Sequence, residues 1–318
     1  MNARLFLCVD GGGSKTEALL ADDAGQVLGR GLSGGSNALS VGRDAARQAV
    51  TEAVSMAMGT ESMDHVALLY LFIPGFSQCM PLPFPVRTVL ESDSANAYFG
   101  ALGRPGGIAM LAGTGSFAVS YDEAGEETSV GGWGPMLGDG GSGYDIGRRA
   151  VVHALRTYDA GLPPDALCRC VTAHYGVADT SGLVHAIYHG GCDRRHMAAL
   201  CPQVDNLARQ GDPAAQQVLD KAAQALAEQA VTLQKRLGLR ETDAALLGGV
   251  SGLGGVFTRP LEQALEGSGL KMRPPRFSPA VGGVLYTWGK LAGHMPDEEL
   301  AERYHQSYQQ CCKGENRP

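Results

Sequence analysis

A glycine-rich turn between two short apolar runs places the strongest limit on the fold of this chain. The run Leu5–Val9 passes directly into Asp10–Thr16, with the sequence DGGGSKT, and Ala18–Ala21 follows at once. A second turn, Asp22–Gly25, separates that run from Val27, where a third strand begins. Short apolar runs divided by glycine and aspartate turns are typical of strands, so this order predicts an antiparallel meander.

The same order of strand, glycine turn, strand and turn recurs about a hundred residues further along. Ile108–Leu111 is apolar, Gly113–Ser116 reads GTGS, and Phe117–Tyr121 is again apolar. The turn Asp122–Gly125, DEAG, then nearly copies the DDAG of Asp22–Gly25. Two successive elements repeated at one offset indicate an internal duplication and hence two similar domains.

Composition excludes several classes of protein. Acidic residues outnumber basic ones by 33 to 26, and a net charge of −7 without a basic block disfavours nucleic-acid binding. The longest apolar run, Val66–Ile73, is far shorter than the ~20 residues of a membrane span. The apolar stretch Leu5–Val9 is too short for a signal peptide, which predicts a cytoplasmic protein. Glycine is the outlier at 45 of 318 residues, about twice the usual ~7%.

The first glycine turn has the composition of an anion-binding site. Its three glycines let main-chain N–H groups approach a ligand, and Ser14, Lys15 and Thr16 add donors and one positive charge. The turn leads into a strand and Ser14 precedes Lys15, so a Walker A loop and a dinucleotide-binding fingerprint are both excluded. The alternative is a plain hairpin, which needs one glycine rather than three. We therefore favour a nucleotide-binding turn.

Two further glycine segments are weaker candidates. Gly113–Ser116, if it faces the first turn across a cleft, would hold a polyphosphate from the opposite side. Alone, it is equally well interpreted as a simple hairpin. Leu246–Gly255 follows a predicted strand and precedes a helix, so its glycines would let a base or its ribose lie against the main chain. Close helix–strand packing is the competing interpretation of that segment.

Asp93 is the candidate general base. It follows an apolar segment that ends at Leu90, and it lies just before a helix predicted to run to Leu102. An aspartate in this position can be a helix N-cap, but Ser92 or Ser94 can cap instead and leave the carboxylate free for other work. The residues by themselves leave both roles open.

The segment Gly131–Gly143 has the most unusual composition, with seven glycines in thirteen residues and one of only two tryptophans, Trp133. Glycine N–H groups can bond a polar ligand, and a tryptophan can pack on the apolar face of a sugar. Asp139 precedes a helix predicted to begin near Ser142 or Tyr144, which places its carboxylate near a positive dipole end. The alternative, a flexible loop, fits poorly with a tryptophan of the buried type.

The cysteines and histidines form no recognised metal-binding motif. The eight cysteines contain no Cys-x-x-Cys pair and the eight histidines no His-Glu-x-x-His, so free thiols are predicted. His185 and His189 can share a helix face with Cys192 nearby. Because a zinc site requires three or four ligands, we favour two exposed helical histidines.

Together these segments resemble the acetate and sugar kinase, heat-shock chaperone and actin superfamily, and within it the N-acetylglucosamine kinase and activator-ATPase family. The resemblance covers nearly the whole chain and keeps the order of the segments, which are Asp10–Thr16, Gly35–Asn37, Ser92–Ser94, Ala112–Ser116, Gly132–Ser142 and Leu247–Val250. It implies an α/β fold of two duplicated ribonuclease-H-like (actin-like ATPase) domains around a cleft, with mixed sheets flanked by helices. The implied domains are residues 1–105 and 106–318, with helix 283–295 packing back on the first.

The resemblance also implies roles for individual residues. Asp93 is the implied general base on the sugar 6-hydroxyl, and Asp10 the implied magnesium ligand, through water. The implied hexosamine-binding residues are Asn37, Asp93, Ser116, Phe117, Gly132, Trp133, Gly134 and Asp139. The implied ATP-binding residues are Gly12, Gly13, Ser14, Lys15, Thr16, Thr114, Ala198 and Gly249.

The implied activity is phosphorylation of an amino sugar, first of all N-acetylglucosamine, with ATP and Mg²⁺ as cofactors. The alternative substrates are glucosamine, N-acetylmuramate or another hexose. An alternative of a different class is a nucleotide-dependent activator of a reductase or dehydratase, which the absence of cysteines from the glycine-rich loops disfavours. No nucleic-acid or membrane partner is expected, a homodimer is left open, and the polar tail Tyr304–Pro318 is predicted to be frayed.

Overall fold

The computed structural model describes residues 4–314 and divides the chain into two compact units. Unit 1 contains the residues up to Gly107, the segment Ser120–Glu127 and the residues from Pro274 onward. Unit 2 contains Ile108–Val119 and Thr128–Arg273. The chain therefore leaves unit 1 and returns to it twice.

This division differs from the predicted domains, 1–105 and 106–318, at two segments. Ser120–Glu127 belongs to unit 1 because its side chains bond there: the Tyr121 hydroxyl lies 2.8 Å from Ser94 Oγ, which also donates to Glu127 Oε2 at 2.8 Å. All residues from Pro274 belong to unit 1 as well, and not only the helix predicted over 283–295.

The first sheet carries the predicted meander. Its strands are β1 Leu5–Gly11, β2 Thr16–Asp22, β3 Val27–Ser33, β4 Val66–Phe72 and β5 Thr88–Glu91. β2 pairs antiparallel with both β1 and β3, whereas β4 lies parallel to both β1 and β5. The spatial order is β3-β2-β1-β4-β5, and the antiparallel meander is confirmed.

The second sheet repeats this arrangement. Its strands are β6 Ile108–Ala112, β7 Ser116–Tyr121, β8 Glu127–Gly131, β9 Thr242–Leu247 and β10 Leu270–Met272. β6 pairs antiparallel with β7, and β9 lies parallel to both β6 and β10. The order β8-β7-β6-β9-β10 matches the first sheet strand for strand, which confirms the predicted α/β fold with two similar mixed sheets.

Helices flank the sheets of both units. In the described range they are α1 Ala38–Val41, α2 Arg43–Met58, α3 Asp93–Leu102, α4 Gly143–Asp159, α5 Ala166–His174, α6 Leu183–His189, α7 Arg194–Ala198, α8 Cys201–Arg209, α9 Pro213–Leu237, α10 Gly255–Leu265, α11 Pro279–Ala292 and α12 Glu298–Lys313. None of them is long and apolar enough to cross a membrane. The cytoplasmic location stays a prediction.

Apolar faces at helical spacing build the core of each unit. In unit 1, α2 packs on β2 and β3 through its fully buried residues Ala46, Val50 and Ala53, which recur every three or four positions. In unit 2, α9 packs on β6 and buries Leu226 and Leu233 completely. Asp212 caps α9 by accepting a bond from Ala215 N, and Gly238 ends it, as the sequence predicts.

The prediction of a frayed tail is wrong for the residues that the structure describes. α12 runs to Lys313, and its Tyr304 is fully buried, donating from its hydroxyl to the main-chain oxygen of Asp22 at 2.6 Å. Ser307, one turn later, accepts a bond from Val27 N at 2.9 Å. The helix is stable because this polar sequence presents one face that packs on β3. Residues 315–318 lie outside the described range.

Candidate functional site

The first glycine turn of unit 1 joins β1 to β2 and leaves part of its main chain open. Gly12 N donates to Lys15 O at 3.0 Å, and Gly12 O accepts bonds from the main-chain nitrogens of Ser36 and Asn37 at 2.8 and 3.0 Å. The turn is therefore held from one side by the segment that precedes α1. Asn37 also caps α1, since its side chain accepts a bond from Leu39 N at 3.0 Å.

The glycines of this turn divide into packing glycines and open glycines. A side chain at Gly11 would collide with Ser36, and one at Gly35 would collide with the main chain of Gly13. A side chain at Gly12 would meet nothing within 4 Å, and one at Gly13 only the edge of Ser40 at 3.5 Å. Gly12 and Gly13 are therefore not needed for packing, and their open space admits a phosphate close to the main chain.

The side chains that follow are partly engaged within the protein. Thr16 is fully buried, and its hydroxyl donates to Gly34 O at 2.6 Å. Lys15 is 62% exposed and lies 3.2 Å from the buried Glu17 carboxylate, which also bonds Arg30 Nε at 2.6 Å. Ser14 is exposed. The predicted donors of this turn are thus Ser14, the tethered Lys15 and the main chain, because the Thr16 hydroxyl is already used.

Two carboxylates of unit 1 stand beside this turn. Asp10 is the second-last residue of β1, and its Oδ1 accepts a bond from Asn96 Nδ2 on α3 at 2.7 Å. Burial raises the pKa of Asp10, the Asn96 bond opposes that rise, and the nearby charge of Asp93 adds to it. Asn96 Oδ1 is buried without a hydrogen-bond partner among the described residues. The Asp10 carboxylate and the amide oxygen of Asn96 are both donors of the type that a hard cation such as Mg²⁺ prefers.

Asp93 is the first residue of α3 and does not cap it. Ser92 is the N-cap, and its hydroxyl accepts a bond from Ser94 N at 3.2 Å. The structure thereby settles the alternative left open by the sequence, and the carboxylate is free of capping. The Asp93 side chain is exposed at the surface, yet the protein atoms around its carboxylate partly remove it from water. This desolvation raises the pKa of Asp93, which makes the carboxylate a stronger proton acceptor.

Asn96 was missed by sequence reasoning. It lies three residues after Asp93 on α3, so the two side chains share one helix face. That spacing was the available indication, but the bond to Asp10 joins residues 86 positions apart and is visible only in the folded chain.

The second glycine turn, in unit 2, gathers the other predicted nucleotide residues. Gly113 N donates to Gly115 O at 2.8 Å, and Gly113 O accepts a bond from Gly143 N, the first residue of α4, at 2.8 Å. Thr114 O accepts a bond from Tyr144 N at 3.4 Å. Ala198 packs against Gly143, where an added Cβ would lie 3.5 Å from its own Cβ. Thr114 and Ala198 therefore both lie at the N-terminus of α4.

The loop after β9 completes this group. Gly248 has a φ of +87°, and a Cβ there would lie 2.6 Å from Ala112 O, so only glycine fits. Gly249 opens onto empty space, with nothing within 4 Å of an added Cβ. Gly113 and Gly249 are thus open glycines of unit 2 that lie in neighbouring loops.

The predicted sugar residues Ser116 and Asp139 lie together in unit 2. Asp139 is buried and has a φ of +61°, the only such value for a non-glycine among the described residues. Its Oδ1 lies 3.4 Å from Ser116 N, and Ser116 Oγ donates to Gly140 O at 2.7 Å. Gln229 also donates to Gly140 O at 2.7 Å, while its Oε1 is buried without a partner among the described residues. Gln229 was not predicted.

Arg194 was also missed. It belongs to α7 and donates from Nη2 to Asp139 Oδ2 at 2.7 Å, and its guanidinium covers Gly115 of the second turn. One arginine therefore links the predicted sugar aspartate to the predicted phosphate turn. No local pattern around residue 194 indicates this role.

The Gly-Trp-Gly loop corrects one expectation. Trp133 is 76% exposed, and Met136 and Leu137 are more exposed still, so this is not a tryptophan of the buried type. Gly132 and Gly134, on either side of the ring, both have a positive φ, which glycine adopts without strain. The base of the loop is packed, since an added Cβ at Gly132 would lie 3.4 Å from Phe117 Cβ.

Known proteins resemble this chain over most of its length. The model of the BadF/BadG/BcrA/BcrD ATPase family matches residues 7–287. The N-acetyl-D-glucosamine kinase of Dictyostelium discoideum is 28% identical over 263 residues, covering 75% of this chain and 82% of the relative. The N-acetylmuramic acid/N-acetylglucosamine kinase of Clostridium acetobutylicum is 26% identical over 230 residues, covering 69% and 75%. A solved structure from Chromobacterium violaceum, a candidate N-acetylglucosamine kinase, superposes with a TM-score of 0.67 at 26% identity and covers 89% of this chain and 98% of that one.

Proposed function

This chain belongs to the BadF/BadG/BcrA/BcrD ATPase family, and on that premise we propose that it phosphorylates an amino sugar with ATP. It is an ATP-dependent sugar kinase, as the named relatives are kinases of N-acetylglucosamine or of N-acetylmuramic acid and N-acetylglucosamine. We take N-acetylglucosamine as the first substrate and its 6-hydroxyl as the acceptor. The alternatives are N-acetylmuramate, supported by the Clostridium relative, and glucosamine or another hexose.

The observation that carries this proposal is the pair of carboxylates in unit 1. Asp93 is free of capping and has a raised pKa, while Asp10 is held by Asn96 next to an open glycine turn. Phosphoryl transfer requires a proton acceptor for the attacking hydroxyl and charge stabilisation for the phosphates. These two carboxylates fit those two tasks.

Asp93 takes the proton of the sugar hydroxyl as the oxygen–phosphorus bond forms. Its raised pKa makes it a better acceptor than an ordinary aspartate, provided that it is ionised at the working pH. The sugar must therefore be held with its hydroxyl within hydrogen-bond reach of this carboxylate.

The open glycines give phosphate oxygens access to the main chain of the turns in this proposal, while the N–H groups of Gly12 and Gly113 themselves donate within their turns. The main chain at Gly12 and Gly13 in unit 1, and at Gly113 and Gly249 in unit 2, is accessible because no protein atom occupies the space of a side chain there. Asp10 and Asn96 would hold Mg²⁺, Asp10 through water. Magnesium, when bound, neutralises charge on the phosphates.

Unit 2 supplies the sugar-binding residues of the proposal. Ser116 and Asp139 provide polar contacts, and Phe117 supports the Gly132–Gly134 loop that carries the exposed Trp133. An exposed indole on a glycine loop is available to cover a sugar ring. The Asn37 side chain in unit 1 is implied as a further contact.

A coupled assay of ATP consumption over a panel of sugars tests this proposal. The panel contains N-acetylglucosamine, glucosamine, N-acetylmuramate and glucose, and the position of the new phosphate is read from the product by NMR. We expect ATP consumption that depends strictly on an amino sugar and a 6-phosphate product. ATP hydrolysis at one slow rate with or without any sugar would favour an activator ATPase and contradict the proposal.

A further inference from the structure

Three side chains of unit 2 that the proposed kinase chemistry does not use lie close together. His153 is on α4, Asp165 is the N-cap of α5, and Cys168 is in the first turn of α5. One imidazole nitrogen, one carboxylate oxygen and the thiol sulfur all lie within 4.8 Å of one another. His153 is ten residues into α4, or roughly 15 Å along the helix from the open glycine turn.

Hydrogen bonds already orient these groups toward each other. His153 Nε2 lies 2.7 Å from Asp165 Oδ2, and Asp165 Oδ1 accepts a bond from Cys168 N at 2.8 Å. The cap thus fixes the spacing of Asp165 and Cys168, while the histidine approaches from the neighbouring helix.

The cluster is partly accessible from solvent. The His153 and Asp165 side chains are 25% and 37% exposed, whereas Cys168 is buried. An ion from solvent would therefore meet the nitrogen and the oxygen first and the sulfur last. Burial and then the Asp165 bond raise the pKa of the Cys168 thiol, so the sulfur keeps its proton until an ion displaces it.

The donor set selects one class of ion. Magnesium prefers oxygen ligands, whereas a nitrogen, oxygen and sulfur set is typical of zinc and its neighbours in the first transition row. Three protein ligands with water in the fourth position is a common zinc arrangement.

We propose that His153, Asp165 and Cys168 form a zinc-binding site that joins α4 to α5. The ligand atoms around a tetrahedral zinc ion lie roughly 3.5 Å apart, and the three atoms here lie within 4.8 Å of one another, so side-chain rotation must adjust their spacing. As the sulfur–zinc bond forms, the Cys168 thiol releases its proton to solvent. Nε2 lies at hydrogen-bond distance from the Asp165 carboxylate, which only accepts, so Nε2 carries a proton in that bond. Zinc binding requires that the ring proton be on Nδ1 instead and that Nε2 and Oδ2 separate to admit the ion.

The spacing explains why the sequence does not predict this site. Eleven residues separate His153 from Asp165 and two separate Asp165 from Cys168, which matches no known zinc motif. The one cluster that the spacing does suggest is not assembled. The His185 and His189 rings are tilted against each other with their centroids 5.3 Å apart, whereas Cys192 Sγ lies 3.7 Å from the Tyr175 hydroxyl.

Zinc binding is measured on the untagged, full-length protein by competition with a chromophoric chelator. We expect one zinc per chain and a rise in the melting temperature with added zinc, because an ion that binds only the folded state stabilises it. Co²⁺ in place of zinc should give thiolate charge-transfer absorption. Wild-type protein that retains no zinc against the chelator would overturn the proposal.

Three variants and one control locate the site. His153→Gln, Asp165→Asn and Cys168→Ser should each weaken zinc binding by at least about 100-fold, since even supporting partners of a metal site are worth 10–100-fold. Asp165→Asn retains a good N-cap, so its loss of zinc does not reflect a frayed α5. Cys170→Ser, on the same helix and bonded to Gln203, should bind zinc and show the Co²⁺ band as wild type does.

Unchanged binding in both His153→Gln and Cys168→Ser would contradict the site. If the buried Cys168→Ser variant does not fold, as judged by circular dichroism, the two half-exposed positions decide the question. None of these measurements involves sugar or ATP, so their outcome is independent of the proposed kinase activity.

Discussion

The two glycine turns have the same fold and different polar surroundings. In each, the residue that opens the turn is an open glycine, Gly12 or Gly113, and the strand before it lies at the centre of its sheet. Two positions before that glycine the first copy has Asp10, whereas the second has Leu111. The second copy instead lies against the N-terminus of α4 and under Arg194.

This difference suggests a division of work after the duplication. Near the first turn lie the carboxylates, which can accept a proton or bind a cation. Near the second lie main-chain donors and one arginine, which can bind anions and hydroxyl groups. In this view, changes around the first turn should act on the chemical step, and changes around the second on binding and stability. The following experiments test that contrast.

Asp93→Asn should have the largest effect, lowering turnover by a factor on the order of 10²–10⁴, the usual contribution of a positioned base. Because the folded-state pKa of Asp93 is raised, its ionisation opposes folding once the pH rises through that pKa. The variant should therefore melt at or above the wild-type temperature at pH 7. Ser92→Ala, which removes the N-cap of α3, should lower the free energy of unfolding by about 1 kcal/mol and leave turnover unchanged. Near wild-type turnover in Asp93→Asn would disprove its role as the base.

Gly12→Val and Gly113→Val should both raise the KM for ATP by roughly tenfold or more, equivalent to about 1.4 kcal/mol of binding. An added Cβ at either position meets no protein atom within 4 Å, so we expect the obstruction to fall on the ligand. Steady-state kinetics with each substrate varied in turn measures the effect. Gly35→Val is the contrasting variant, because its collision with Gly13 should destabilise unit 1. An equal rise in the KM for ATP and the KM for sugar would indicate misfolding. If only one of the two variants raises the KM for ATP, phosphate binding is limited to the turn that carries it.

Arg194→Gln should destabilise the folded state by roughly 1–3 kcal/mol, because it leaves the buried Asp139 carboxylate without its ionic partner. We expect the lower end of this destabilisation, because the Arg194 side chain is 41% exposed and solvent screens its ion pair with Asp139. Urea unfolding measures the change. Asp139→Asn should recover part of that loss in the double variant, since an amide at this left-handed position needs no counter-ion. Additive losses in the double variant would show that the pair is not coupled.

Asn96→Ala should move the acid side of the pH profile of kcat/KM to higher pH. The Asn96 bond holds the pKa of Asp10 below the value that burial alone would give, so its removal raises that pKa and the carboxylate is protonated earlier as the pH falls. Asn206→Ala is the matched control, because it removes an exposed asparagine side chain on α8 that has no part in the proposed chemistry. An unmoved profile in Asn96→Ala would show that Asp10 does not limit activity on the acid side.

The smallest signal is expected from tryptophan fluorescence. Trp133 is 76% exposed, so sugar binding without ATP should remove water from its ring and shift its emission to shorter wavelength. Trp288, on α11, donates from Nε1 to Asp23 O and should contribute little. Trp133→Phe should lose the change and weaken sugar binding, whereas Trp288→Phe should keep both. A full signal with unchanged sugar affinity in Trp133→Phe would place the sugar elsewhere.

The sequence by itself determined the local framework of this protein. Both glycine turns, the meander, the duplicated strand order and the two ends of α9 follow from patterns within a few residues, because turn chemistry and capping act between near neighbours. The same patterns located Asp93, and they left its capping role open only because Ser92 is an equally good cap.

Only the tertiary structure decided which polar groups meet. Asn96 bonds Asp10 across 86 positions and Arg194 bonds Asp139 across 55, and neither residue stands out in its own segment. The polar tail forms a packed helix because one face of α12 contacts β3. The exposure of Trp133 likewise depends on tertiary packing, which places the base of its loop against Phe117. Contacts of this kind form because packing brings distant segments together, and no local periodicity encodes them.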